Sequence, residues 1–135
     1  MSGGVRCKFI LIAENAHFDK DNLMTITRIF NILGVNSVPA PTEPGRFCVV
    51  SLWDGPRGKN AKFTLRKRHM NSDKVLESAN LDVDFGPTGR GRHIAPIQGF
   101  VFPSYGDYAF EIVYDGKVFA SELLAVVPPL GIESV

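Results

Sequence analysis

Cysteine is scarce in this chain, long apolar runs are missing, and neither sign of charge prevails. The two cysteines, Cys7 and Cys48, lie beside the apolar runs FILIA and VVSLW, and no CxxC pair is present. A ribbon-type zinc site and a thioredoxin-like redox site are thereby excluded, and each thiol is read as a small hydrophobe. No apolar run exceeds five residues, as in Phe9–Ala13, far from the ~20 residues of a membrane-crossing helix. The opening MSGGVRCK has no cleavable apolar segment. These features together predict a reduced, cytoplasmic protein without membrane association. Fifteen Lys and Arg against fourteen Asp and Glu leave a net charge of +1, so nucleic-acid binding would need a local patch.

No window carries a stripe of helical period, and no 20-to-50-residue repeat occurs. What recurs is a short run of Val, Ile, Phe and Thr followed by turn residues, the pattern of an all-β fold. CKFILIAE is the first run, apolar on both faces like a central strand, with AHFDKDN read as the turn after it. In LMTITRIFNIL the apolar parity slips around Thr27 and Arg28, which predicts a bulge or a bend between sheets. PAPTEPG has prolines at three of seven positions and forbids helix and central strand alike.

RFCVVSLW follows, and then AKFTLRKRH, which places Phe63 and Leu65 inward and Lys62, Thr64, Arg66 and Arg68 on a solvated face. KVLESANLDVDF supplies the next strand, GPTGRGR a loop, and HIAPIQGFVF an edge or bulged strand. DYAFEIVYD and KVFASELLAVV close the chain as a hairpin turned at Asp115-Gly116, with Glu111 facing solvent. Seven or eight strands in one domain spanning residues 1–135 predict an antiparallel β-sandwich, in which two half-apolar sheets bury their faces against each other.

The chemistry offered by these residues is thin. His17, Asp19 and Asp21 alternate in an extended segment and could ligate a divalent ion, which gives the weakest functional reading, a metal-dependent enzyme. A polar turn whose Asp side chains bond nearby amides explains the same residues, and no metal or cofactor is expected. No GxSxG elbow occurs and neither cysteine has an activating setting, so no catalytic residue is assigned and the chain is read as no enzyme. Arg57, Lys62, Arg66 and Arg68, joined by Arg90 and Arg92 of the GPTGRGR loop, form a basic set that could track an anionic ligand or a nucleic-acid backbone. Carboxylates from the neighbouring strand, Glu77, Asp82 and Asp84, could equally neutralise it.

The segment GDYAFEI resembles the approach to the penultimate strand of immunoglobulin-like domains. In those, a tyrosine two residues before an inward position bonds back to the backbone, and Tyr108 stands two before Phe110. The disulfide of those domains has no counterpart, because Phe110 occupies the place of its second cysteine. Over most of its length, through CKFILIAE, ITRIFNIL, the proline loop and FPSYGDYAFEIVYDG, the chain is also similar to a family of small, functionally uncharacterised bacterial proteins with an immunoglobulin-like fold. That resemblance implies an immunoglobulin-like β-sandwich and no activity. The resulting expectation is a non-enzymatic interaction or scaffolding module binding a protein partner or itself, with Tyr108, Asp115 and Gly116 structural and nucleic-acid binding the alternative.

Overall fold

The computed structural model describes residues 4–43 and 45–129. The described residues form eleven strands and no helix. They are β1 (Arg6–Phe18), β2 (Met24–Ile29), β3 (Ile32–Gly34), β4 (Ala40–Pro41), β5 (Cys48–Asp54), β6 (Asn60–His69), β7 (Lys74–Asp84), β8 (Arg90–Pro96), β9 (Val101–Phe102), β10 (Gly106–Tyr114) and β11 (Lys117–Val127). One sheet has the order β2-β1-β5-β8, a second the order β3-β11-β10-β6-β7, and β4 pairs with β9 alone. Among the described residues, eleven strands stand where seven or eight were expected; β3, β4 and β9 have only two or three residues each.

The two large sheets share one apolar core. Ile12, Val49 and Trp53 contribute from the first sheet, and Phe63, Leu65, Leu81, Phe110, Ile112 and Leu124 from the second. Alternation explains the membership, since residues two apart on a strand face the same side. Aromatic rings dominate the contact, with Trp53 stacked on Phe63 at 4.5 Å and Phe47 tilted against Phe110 at 5.5 Å. Each fully buried large side chain stabilises the fold by roughly 2 to 3 kcal/mol relative to exposure. No helix among the described residues is long and apolar enough to cross a membrane.

Two turns follow from local chemistry. Asp115 and Gly116 both adopt positive φ, +51° and +77°, as a two-residue turn matching the twist of β10 and β11 requires. The Asp19 carboxylate accepts the amides of Asp21 and Leu23 at 2.8 and 3.0 Å, closing the β1–β2 turn. Tyr108 is fully buried on β10; its hydroxyl donates to the Ser104 carbonyl at 2.6 Å and accepts the Ser104 amide at 3.2 Å.

Several segments depart from the sequence reading. AHF continues β1 instead of turning, because Ala16, His17 and Phe18 pair with Ile26, Thr25 and Met24. HIAPIQGFVF divides into β8, at the edge of the first sheet, and the separate β9. GPTGRGR is a loop only as far as Gly89. Arg90 and Arg92 are strand residues of β8, paired opposite Asp54 and Leu52.

The parity slip at Thr27 and Arg28 coincides with a left-handed Arg28, φ +56°, just before the chain leaves the first sheet and enters the second as β3. β3 lies parallel to β11, whereas every other pairing is antiparallel.

The most consequential departure is the course of β1. Register places Phe9 opposite Leu52, and Leu52 opposite Arg92. Phe18 lies nine residues beyond Phe9, and a straight strand would carry it about 30 Å along the sheet. Instead the Arg92 guanidinium lies over the Phe18 ring, 4.6 Å from its centroid, and Nη1 donates to the Asn22 carbonyl at 2.6 Å. β1 therefore bends back on itself, and the β1–β2 hairpin lies across the face of β5 and β8 that is turned away from the core. Ala16, Met24 and Ile26 of the hairpin pack there against Leu11, Ala13, Cys48, Val50 and Ile94 as a second apolar cluster.

Candidate functional site

The basic residues do not form one stripe. Arg66 and Arg68 project from the outer face of β6, and alternation brings both beside Glu111 of β10. Glu111, expected to face solvent, is 3% exposed. Its Oε1 accepts Arg66 Nε at 2.9 Å and Arg68 Nε at 3.2 Å, while its Oε2 accepts Arg68 Nη2 at 2.7 Å. Arg68 also pairs with Asp73.

Burial pushes the Glu111 carboxyl up, yet the bonds from Arg68 and Arg66 outweigh it and hold the group below its ordinary range. The same contacts raise the Arg68 guanidinium above its usual value. These two arginines are thus committed to a carboxylate that the sequence reading sent to solvent. The error had a simple origin: β10 is flanked on both sides, so its outer face is covered by neighbouring side chains.

The remaining basic candidates separate. Arg92 fastens the β1–β2 hairpin, as described above. Lys62 is exposed opposite Asp82, whose Oδ1 accepts Asn60 Nδ2 at 3.2 Å. Arg57 lies in a loop that clasps the turn leading into Arg90, the first residue of β8: Gly55 donates to Gly89 at 2.8 Å and Gly58 to Gly86 at 2.7 Å. Close approach demands glycine here, since a Cβ at Gly89 would lie 2.6 Å from the Gly55 carbonyl oxygen. Of the neighbouring carboxylates, Glu77 bonds the buried Lys67 at 2.6 Å and Asp84 accepts the Gly86 amide, so neither serves the arginines of β6.

Among the described residues, no three His, Cys, Asp or Glu side chains are grouped to hold a metal ion. Cys7 and Cys48 are both free. They pair opposite Trp53 and Ala13, at the two ends of the β1–β5 ladder and about 17 Å apart by strand rise, too far for a disulfide. Burial pushes the Cys7 thiol up to about 11 and raises Cys48 as well, which leaves neither poised as a nucleophile.

One concavity was not foreseen. It is a groove of about 500 Å³ where the chain crosses between sheets, walled by Ile29, Phe30, Ile32 and Leu33 on one side and by Pro41, Thr42 and Phe47 on the other. Two ion pairs, Arg28 with Glu14 at 2.8 Å and Arg46 with Glu43 at 3.5 Å, stand at its mouth. Ile29 and Ile32 are large apolar side chains left more than half or half exposed. Thr42 is buried in the wall, and its Oγ1 has no hydrogen-bond partner among the described residues.

One wall of this groove is also an open strand edge. β3 is the outermost strand of its sheet. The Asn31 carbonyl accepts Ala125, and the Val35 amide donates to Val127, both at 2.9 Å. By the period of two in a parallel ladder, Leu33 turns its backbone groups to β11 while Ile32 and Gly34 turn theirs away. Sequence reasoning could have found the apolar side chains here through the parity slip, but the groove itself arises from residues brought together by the crossing.

No curated protein matches this chain, and no solved structure does. A family model matches residues 8–127, spanning every strand but the first two residues of β1, and the chain belongs to DUF6941, a family of unknown function.

Proposed function

We propose that this protein is an interaction module that takes an extended segment of a protein partner into the groove beside β3. The carrying observation is the coincidence of an apolar groove with unpaired main-chain groups in its wall. Such an edge accepts a further strand through backbone hydrogen bonds, while side chains on alternate positions of the ligand settle into pockets. Ile29, Ile32, Phe30 and Phe47 supply the apolar surface, and the ion pairs of Arg28 and Arg46 favour a segment with polar flanks. The two-sheet core and the Tyr108 hydroxyl bonded to its own upstream backbone support an immunoglobulin-like sandwich as the scaffold, the setting being the bacterial cytoplasm. Self-association through the same edge belongs to this reading.

A displayed library of random peptides, selected on the protein, tests it. Winners should alternate apolar residues, perturb the amide resonances of Ile32 and Gly34, and lose binding to Ile32→Pro, which removes one outward amide at an edge position that tolerates proline. Selected peptides that bind Ile32→Pro as well as the parent and perturb another surface refute it.

A second reading has a narrower basis. The clasped loops carry Arg57 and Lys59 and lead into Arg90, and none of the three is in an ion pair among the described residues. This group, smaller than the six-residue basic set, supports binding of an anionic ligand or nucleic-acid backbone. Titration with short DNA and RNA at low salt tests it, and unaltered affinity in Arg57→Ala with Arg90→Ala removes it.

A further inference from the structure

The β1–β2 hairpin covers a face that a two-sheet fold would ordinarily leave to solvent. Val50 and Ala13 are 0% exposed and Cys48 4%, although all three point away from the main core. What covers them is small and separately founded. Their cluster is distinct from the main core, so removing the cover leaves the inter-sheet contacts standing. At its tip the hairpin is held, among the described residues, by Arg92, through one hydrogen bond and one cation–aromatic contact.

The rest of that tip is exposed: Leu23 is 63% accessible and Phe18 41%. At its base the chain passes through the left-handed Arg28, whose side chain pairs with Glu14 across the hairpin. A bend at one end, a single clasp at the other and a dry apolar strip between them describe a strap.

We propose that the β1–β2 hairpin is a latched strap that lifts as a unit, with Arg92 as the latch, opening an apolar slot formed by Leu11, Ala13, Cys48, Val50 and Ile94. Lifting exposes only the second cluster and therefore proceeds below the free energy of global unfolding. Its base shares Glu14, Arg28 and Ile29 with the groove wall, so the position of the strap and the shape of the groove are set by the same residues. The inference stands on the hairpin's own contacts and does not depend on what occupies the groove.

Cys48 is a built-in reporter, since the strap must move before its sulfur can be reached. In a Cys7→Ser background, labelling by a maleimide under native conditions at pH 8.5 reads the opening. Arg92→Ala should label about tenfold faster than the parent, the effect of losing one hydrogen bond and one cation–aromatic contact. Phe18→Leu, which keeps the hydrogen bond and loses only the ring, should label a few-fold faster.

Stability read by urea unfolding of Trp53 should fall by no more than that same factor of ten, about 1.4 kcal/mol for Arg92→Ala, and the parent's labelling should be nearly independent of urea at low concentration. Equal labelling rates in all three proteins overturn the proposal. So does a parent rate that follows global unfolding throughout the urea series, because Cys48 is then reached only when the whole domain opens.

Discussion

Glu111 offers the sharpest test of how this structure is held together. Replacing it with Gln preserves volume and an acceptor oxygen but deletes the charge that faces Arg66 and Arg68. The carboxylate is 3% exposed and receives three hydrogen bonds of 2.7 to 3.2 Å from those guanidiniums. Charge-assisted bonds of this kind contribute about 1.5 to 3 kcal/mol where neutral ones contribute about 1. The arginine side chains keep 30% and 23% of their exposure, so water recovers part of the loss.

A destabilisation of about 2 kcal/mol results, which lowers the midpoint of thermal unfolding by roughly 7 °C for a domain of this length. The assay is urea unfolding followed by fluorescence of the single tryptophan, Trp53, which is buried against Phe63. Acid supplies an independent check. The folded-state value of Glu111 lies below its ordinary 4.5, so its contribution is fully present above that pH and is lost as pH falls through the folded value. The parent should therefore forfeit its advantage over Glu111→Gln progressively as the pH falls below 4.5. A stability difference under 0.5 kcal/mol at pH 7, or one that does not change on acidification, would refute the reasoning.

Other expectations follow from single contacts. Tyr108→Phe leaves the carbonyl and amide of Ser104 without the hydroxyl and should cost about 1 to 2 kcal/mol in the same urea assay; no loss would show that the corner does not depend on that bond. Gly55→Ala places a Cβ 2.5 Å from the buried Phe85 ring, so the ring must shift, and calorimetry should register a loss of about 1 to 3 kcal/mol. Mild oxidation should leave the monomer with both thiols reactive in denaturant, because the two cysteines sit at opposite ends of the β1–β5 ladder; an intramolecular bridge detected by mass spectrometry would contradict the register.

Period-two reasoning worked wherever a strand meets one partner face and one solvent face. Phe63 and Leu65 of β6 and Phe110 and Ile112 of β10 are buried as alternation requires, and the Asp115-Gly116 turn has the positive φ angles its residues suit. It failed where the environment of the outer face mattered. Glu111 is polar and lies on the outward parity of β10, yet β6 places two arginines over it, and nothing local to β10 announces them. Lys67 shows the reverse: a charged residue on the inward parity of β6, tolerated because Glu77 reaches it beside a register shift.

The sequence by itself determined the strand class, most of the strand positions, the parity of the core and the two turns built on Asp19 and on Asp115-Gly116, because these depend on neighbours within a few residues. Tertiary structure alone decided the bend of β1, the crossing that opens the groove beside β3 and the division of the basic residues among ion pair, latch and loop cluster. Each of those joins residues from 14 to 70 positions apart, as Arg28 with Glu14 and Arg92 with Asn22, and contacts at such separations are chosen by how whole sheets pack. The same arginine can be a ligand, a latch or half of an ion pair, and only the strand laid against it decides which.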